Sequence, residues 1–473
     1  MLIQKTAARL KRSTKMNPKR RSFLKRLGLL AGGAFFVRRS TTPLYAQPHG
    51  AQRGKTYFID PLLGSDANSG ATHLEPWKTY HAREFIGGDQ VLFKRGSIIR
   101  ENLHTRDGEK GAPITYGAYG EGEKPVFMGS VSIGNPSQWI KVRPRIWQYQ
   151  GEFATKVCNL IFNGGERCGN LRWAATALRE PGEWHYTGNA SGDAGGGQAP
   201  PQSVLLLCAS TNPGIFYQSI ECVLWGERRL VKGKGYIVLE NLSFRNAGVH
   251  GYQQGQAHDV VIRACDFRFI GGAVWDNDRR IRFGNAIELW DGARDITVEH
   301  CTFDNIYDAG VTHQGGETRR IPERLYFRYN HFSRCGFAAY ECREPSQEIY
   351  FEYNVSVDAG GGFSLQGELP PRQSEIYPQP VGHHVFIWKI NPHTQPGKVY
   401  IRHNTFSEAP DGAAVYSIIS PADEEKFILD HNTYKQTSGD VLIHLGGRSY
   451  RPAEFKIYQT ECRQDPHSRI TQS

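Results

Sequence analysis

The sequence predicts an all-β chain, a β-solenoid behind an elaborated N-terminal cap. Three observations lead there. A short strand-like unit recurs along the second half of the 473-residue chain. Each copy alternates apolar and polar residues, which is strand periodicity. The copies are joined by Gly/Asp turns rather than by helical patterns. The 52 glycines and 25 prolines fit so many turns.

Taken in order, the chain opens on a basic leader. Residues 1–46 hold twelve Lys and Arg and no acid. They account for the formal charge of +10, because the remainder carries 45 basic against 47 acidic residues. The body is therefore not a basic nucleic-acid binder, and no nucleic-acid partner is expected. Lys19-Arg20-Arg21-Ser22-Phe23-Leu24-Lys25 precedes a modest apolar stretch, Leu27 to Val37. This resembles a twin-arginine export signal, and the expected partner of residues 16–46 is the twin-arginine export machinery. Met16 is a candidate start and Ala46 a candidate cleavage position. No apolar run reaches the roughly 18–20 residues of a membrane span. The nine cysteines show no CxxC or Cys/His metal spacing and read as small buried hydrophobes.

Residues 47–130 are expected to form the cap and first coils. Residues 131–235, with Trp139, Trp147, Trp173 and Trp184, are expected to form a β-rich insertion packed on them. From 236 to 450 the repeat is plain. Val260 to Phe267, Ile296 to Phe303, Leu325 to Phe332, Val399 to Phe406 and Phe427 to Tyr434 are copies of one strand. A second short strand follows in each unit, such as Ala286–Trp290, Gly310–Gln314, Ala339–Arg343 and Gly362–Gln366. The spacing of about 22–25 residues is that of solenoid repeats, which stack about 4.8 Å apart. Asn330, Asn354, Asn404 and Asn432 then share one column, with Cys265 and Cys301 above them. Such an Asn ladder satisfies turn backbone groups, so these residues read as structural. Residues 451–473 close the chain as a C-terminal cap.

These repeats resemble the right-handed parallel β-helix proteins of the pectate-lyase-like superfamily. Tyr57-Phe-Ile-Asp-Pro61, Gly64 to Gly70, Pro76-Trp-Lys-Thr79, Gly87 to Gly96 and Pro113 to Gly120 resemble the opening cap of secreted bacterial members. The resemblance implies a carbohydrate-active, secreted protein. It leaves the reaction open, since this architecture hosts lyases, hydrolases and non-enzymes.

The chemistry is expected on the second strand, where alternate residues point outward. Aligning Ile287, Val311, Tyr340 and Phe363 gives one exposed column of His250, Glu288, Thr312, Glu341 and Ser364. The neighbouring column is Tyr252, Trp290, Gln314, Arg343 and Gln366. Insertions at 271–284, 315–323 and 366–382 fall beside these strands. Glu288 and Glu341, two rungs apart, are the candidate acid/base or nucleophile pair of a glycoside hydrolase. Asp308 is a third candidate carboxylate, and a turn-forming Asp is its alternative role. Ion pairing with Arg343, Arg282 or Arg320 is the alternative for either Glu. His250, Tyr252, Trp290, Gln314, Arg343 and Gln366 are expected to bind sugar, since flat ring faces stack on aromatics and hydroxyls need polar partners.

His313 should point inward. His383 and His384 lack a third metal ligand. Asp60, Asp66 and Asn68 sit in a Gly-rich loop that reads as Asx turns; it is the one place a Ca²⁺ is conceivable, and no cofactor is expected. A polysaccharide or oligosaccharide is the expected partner. A uronate lyase using Arg343, Lys389 and Tyr340, and a non-catalytic carbohydrate-binding or cell-envelope protein, are the alternatives. Residues 270–345 carry ten Lys/Arg against twelve Asp/Glu, which is no obvious polyanion groove.

Overall fold

Three ten-stranded sheets wind around a common apolar column in the computed structural model, making an all-β parallel β-helix. The structure describes residues 54–189, 197–276, 281–315, 320–343, 347–361, 382–388, 397–436 and 441–471. The leader, including residues 16–46, lies outside them, as do Phe363, Ser364, Gln366 and Lys389. No helix of the described residues is long and apolar enough to cross a membrane.

One coil shows how the sequence makes the fold. Arg294–Glu299 lies in the first sheet, Thr302–Ile306 in another and Ala309–Gln314 in the third. Ala309 to His313 are all buried, whereas in the first of these strands the buried residues alternate, as Ile296 and Val298 do. Stacked on neighbouring coils, they form columns: Ile237, Val260, Ile296, Leu325, Ile349 and Val399 are paired rung to rung. Phe244, Phe267, Phe303 and Phe332 form a second column of stacked rings. Parallel strands buried inside a solenoid can only be reached by such crossovers.

The turn between the first and second strands of a coil carries a residue at positive φ, among them His300, Tyr329, Tyr353, His403 and His431. Each turns outward, and their rings stack on one another along the surface. Behind them runs the Asn ladder. Asn330, Asn354, Asn404 and Asn432 are buried, and each amide donates to a carbonyl of the coil before: Val298, Phe327, Phe351 and Ile401. Each side-chain oxygen accepts a main-chain N–H from that coil, at 2.9–3.0 Å. The ladder stops where the Asn432 N–H meets Ser468 Oγ at 2.7 Å.

Between Ser130 and Leu224 two small sheets, one antiparallel and one mixed, depart from the coils. Their own core, with Phe162, Trp184, Tyr186 and Tyr217, continues onto the solenoid through Phe269 and Tyr307. All nine cysteines are unpaired thiols, seven of them buried. In the Gly-rich N-terminal loop Asp60 accepts the N–H groups of Leu62 and Leu63 as an Asx-type turn, and Asp66 accepts the Thr79 N–H across the loop.

Candidate active site

Five strands of the third sheet set the site: β1 (His250–Gly255), β2 (Ile287–Trp290), β3 (Ala309–Gln314), β4 (Ala338–Cys342) and β5 (His383–Ile387). Their register pairs Glu288 with Thr312 and Thr312 with Glu341. The two glutamates therefore point the same way from strands two rungs apart, about 9–10 Å between backbones. Gln314 and Arg343 follow on the next outward column.

The flanking insertion roofs this face. Residues Ala273–Asp276 and Ile281–Phe283 form an antiparallel hairpin that leaves the solenoid just before β2. Its base is pinched between Gly271 and Gly284, both at positive φ; a Cβ on Gly284 would lie 2.3 Å from the Gly271 Cα. Only glycine fits so close a backbone crossing. Gly360 and Gly382 meet in the same manner ahead of β5. The result is a cleft of about 280 Å³ lined by Arg228, Trp275, Ile281, Arg282, Phe283, Asn285, Glu288, Asp308, Thr312, Gln314, Glu341 and Arg343. All three candidate carboxylates, Glu288, Asp308 and Glu341, thus open into one space. Each is buried.

Glu288 is the most elaborately held. His250 Nε2 lies 3.0 Å from Oε2, the Asn285 amide donates to Oε2 at 3.0 Å, and Gln314 donates to Oε1 at 2.6 Å. The Asn285 main-chain N–H donates to His250 Nδ1, so the imidazole proton is on Nε2 and faces the carboxylate. Burial alone raises the Glu288 pKa, but the positive edge and hydrogen bond of His250, the Asn285 amide and Arg343 outweigh it and bring the group down to about 2. Glu288 is an acceptor on every side and stays ionised.

That depression has a stability consequence. The folded value lies below the ordinary 4.5, so Glu288 contributes stability in full above pH 4.5 and loses it as pH falls toward 2. Between those limits the melting temperature of the native chain is expected to fall more steeply than that of Glu288→Gln. Parallel acid melts of the two proteins would contradict this.

Glu341 Oε1 accepts the indole N–H of Trp388 at 2.6 Å, and the Arg343 guanidinium lies 5.1 Å from the centre of that indole. Asp308 stands immediately before β3, beside Tyr307, whose carbonyl accepts from Arg282 at 2.9 Å. Arg282 also covers the Tyr307 ring at 4.8 Å. Arg228 lies 4.9 Å from the Phe283 ring and 5.2 Å from that of Trp275.

Several expected contacts are corrected. Tyr252 binds no sugar: it is fully buried, pairs with Ile287 and donates its hydroxyl to Gly233 O at 2.6 Å. His250 is also fully buried and meets Glu288 from behind, so it positions the carboxylate instead of touching a ligand. The residue level with Glu288 on β1 is Gln253. Trp290 is half-buried over Gly255 and is not among the residues lining the cleft. The rung after β4 is β5, not Gly362–Gln366, so Phe386 stands level with Glu341. His313 points inward as expected, 2.8 Å from the Tyr340 hydroxyl, and burial lowers its pKa to about 3. This places Tyr340 in the core too, away from any base role. His383 and His384 diverge: the first accepts from the Ala413 N–H, the second meets Ser356 Oγ.

Sequence reasoning missed Asn285, Arg228, Trp275, Phe283 and Trp388. Asn285 had no signal, because alternation puts it in phase with the inward-facing Ile287. Trp275 had none, since it reaches the site from a hairpin outside the repeat, and Trp388 directly follows β5, a rung the repeat spacing does not place.

No family model matches the chain. A segment covering 18% of it is 38% identical over 96 residues to the lacto-N-biosidase of Bifidobacterium longum subsp. longum. That segment spans 6% of the length of this relative. Among solved structures, the GH136 lacto-N-biosidase from Eubacterium ramulus aligns over 88% of this chain and 67% of its own, at 14% identity and a TM-score of 0.45. XylC in complex with xylose aligns over 84% and 73%, at 14% identity and a TM-score of 0.44.

Proposed function

We propose that the chain is an exported glycoside hydrolase that cleaves an oligosaccharide or polysaccharide in the cleft over β2–β4. The observation that carries this reading is the convergence of Glu288, Asp308 and Glu341 on one roofed cleft, with Glu288 held ionised. Hydrolysis of a glycosidic bond needs one carboxyl group to protonate the leaving oxygen and one carboxylate to activate water or attack the sugar. Glu288 takes the second role. Glu341 takes the first, and Asp308 is the reserve donor. Trp275 and Phe283 offer ring faces, and Gln314, Thr312 and Arg343 offer hydrogen-bonding partners for hydroxyls. The 96-residue likeness to a lacto-N-biosidase supports a glycosidase.

The test is a panel of oligosaccharides and polysaccharides incubated with the mature chain. New reducing ends without ultraviolet absorbance are expected. The three arginines in the cleft, Arg228, Arg282 and Arg343, favour a second reading, a lyase that neutralises a uronate carboxylate. Unsaturated, ultraviolet-absorbing products would establish it and displace the hydrolase. Binding without cleavage across the panel would leave a carbohydrate-binding protein.

Export rests on the leader. Replacing Arg20 and Arg21 together by Lys is expected to hold the protein inside the producing cell, read by fractionation. Undiminished export of that variant would remove the twin-arginine route.

A further inference from the structure

We propose that Asp430, His431 and His467 form a zinc site that fastens the C-terminal cap to the last full coil. It stands on the surface ladder of stacked turn residues and shares no residue with the cleft.

His431 is the turn residue after Phe427–Asp430, held at positive φ so that its ring points outward. His467 occupies the same place one rung on, because Thr433 pairs with Arg469. The two imidazoles stack at 4.8 Å, and His403 stacks on the other side of His431 at 4.6 Å. Asp430 divides its two oxygens between distinct tasks. Oδ1 accepts the main-chain N–H groups of His431 and His467, at 2.8 and 2.9 Å. Oδ2 faces the two ring nitrogens, 3.0 Å from His431 Nδ1 and 2.9 Å from His467 Nδ1. The backbone thus fixes the carboxylate, and the two imidazoles converge on its outer oxygen.

One ligand atom from each residue lies within 4.8 Å of the others. Ligands on one tetrahedral zinc stand about 3.4 Å apart, given bonds of about 2.0–2.1 Å. The two histidine side chains are 47% and 66% exposed, so both rings can turn out of their stack, as they must for two in-plane lone pairs to meet one ion. Two imidazoles and a carboxylate are a borderline-soft N/O set suited to zinc, with water in the remaining position. On binding, each imidazole presents an Nδ1 lone pair to the metal and keeps a proton on Nε2: a neutral ring moves its proton from Nδ1 to Nε2, and an imidazolium releases its Nδ1 proton to solvent.

The location gives the site its effect. Asp430 and His431 belong to the last coil, whereas His467 follows the helix Phe455–Cys462. The cap is already pinned by Asp465, which accepts from Tyr434, Tyr458, Asn432 and Ser468. A metal bound only by the folded chain adds to that hold.

The test uses the tag-free mature chain, stripped with a chelator and dialysed against zinc. One zinc per chain and a raised melting temperature are expected. His467→Ala should weaken binding by about 100-fold or more and abolish the thermal shift, while leaving the metal-free melt unchanged because the side chain is exposed. His81→Ala is the control, since His81 meets only one carboxylate, Glu101, at 2.7 Å. No bound zinc, or zinc retained by His467→Ala, would overturn the site; neither result bears on the sugar cleft.

Discussion

Glu288→Gln and Glu341→Gln are each expected to lower kcat/KM by about 10³-fold, within the range that a positioned acid or base supplies. The two losses should differ in kind. Gln at 288 keeps the shape of the side chain but removes its charge and turns one of its two acceptors into a donor that faces either Gln314 or the His250 and Asn285 pair. The deficit should then persist for substrates with good leaving groups, because attack itself is impaired. Gln at 341 keeps the contact with Trp388 but cannot give up a proton. Its deficit should shrink when the leaving group needs no protonation, as with an aryl glycoside. Combining the two should cost less than the product of the singles, since each residue serves the same step. Full turnover by either single variant would sink the assignment, and loss at Asp308→Asn with Glu341→Gln intact would pass the donor role to Asp308.

Asn404→Ala is expected to lower unfolding free energy by about 3–5 kcal/mol. The side chain serves four hydrogen bonds within the ladder: to Phe351 O, from the Asn354 N–H, and with the Asn354 and Asn432 amides. Alanine leaves a buried carbonyl and a buried N–H without partners, each costing about 1–3 kcal/mol, and opens a small void. Denaturant titration with an unchanged slope reads this directly. A loss under about 1 kcal/mol would mean that water or a shifted turn replaces the amide. Exposed pairs such as Arg448–Glu461 are worth far less, because solvent screens them.

The repeat was legible because burial enforces it. Ile296, Leu325 and Ile349 must be apolar to face the column, and Asn330, Asn354 and Asn404 must be Asn to serve the turn behind them. The Glu288–Thr312–Glu341 column followed from the same alternation. The alignment failed at β1, where no neighbouring repeat fixes the phase. Tyr252 looks like a sugar platform in sequence, yet its ring fills the column and its hydroxyl finds Gly233. Tyrosine suits both settings, so residue type alone does not separate them. The roof was illegible for a different reason. Trp275 and Phe283 reach the cleft through an insertion whose path is set by a glycine crossing and by packing, and neither has a period.

The Asn ladder has a direction. Every coil from Cys301 onward has a main-chain N–H that is answered only by a side chain of the coil after it. A stack built this way carries an open demand at its leading end, and Ser468 acts as its terminator. The antiparallel return of Arg448–Tyr450 onto Ile443–Leu445 blocks a second sheet at the same end. A chain stopped at Tyr450 would present a fresh coil with its N–H groups unanswered, a template that another copy's coils can meet. Such a variant is expected to sediment as end-to-end assemblies, and a strictly monomeric one would show that the demand is met by water. The terminal segment thus sets the number of coils in the molecule, as a stop signal set in hydrogen bonds.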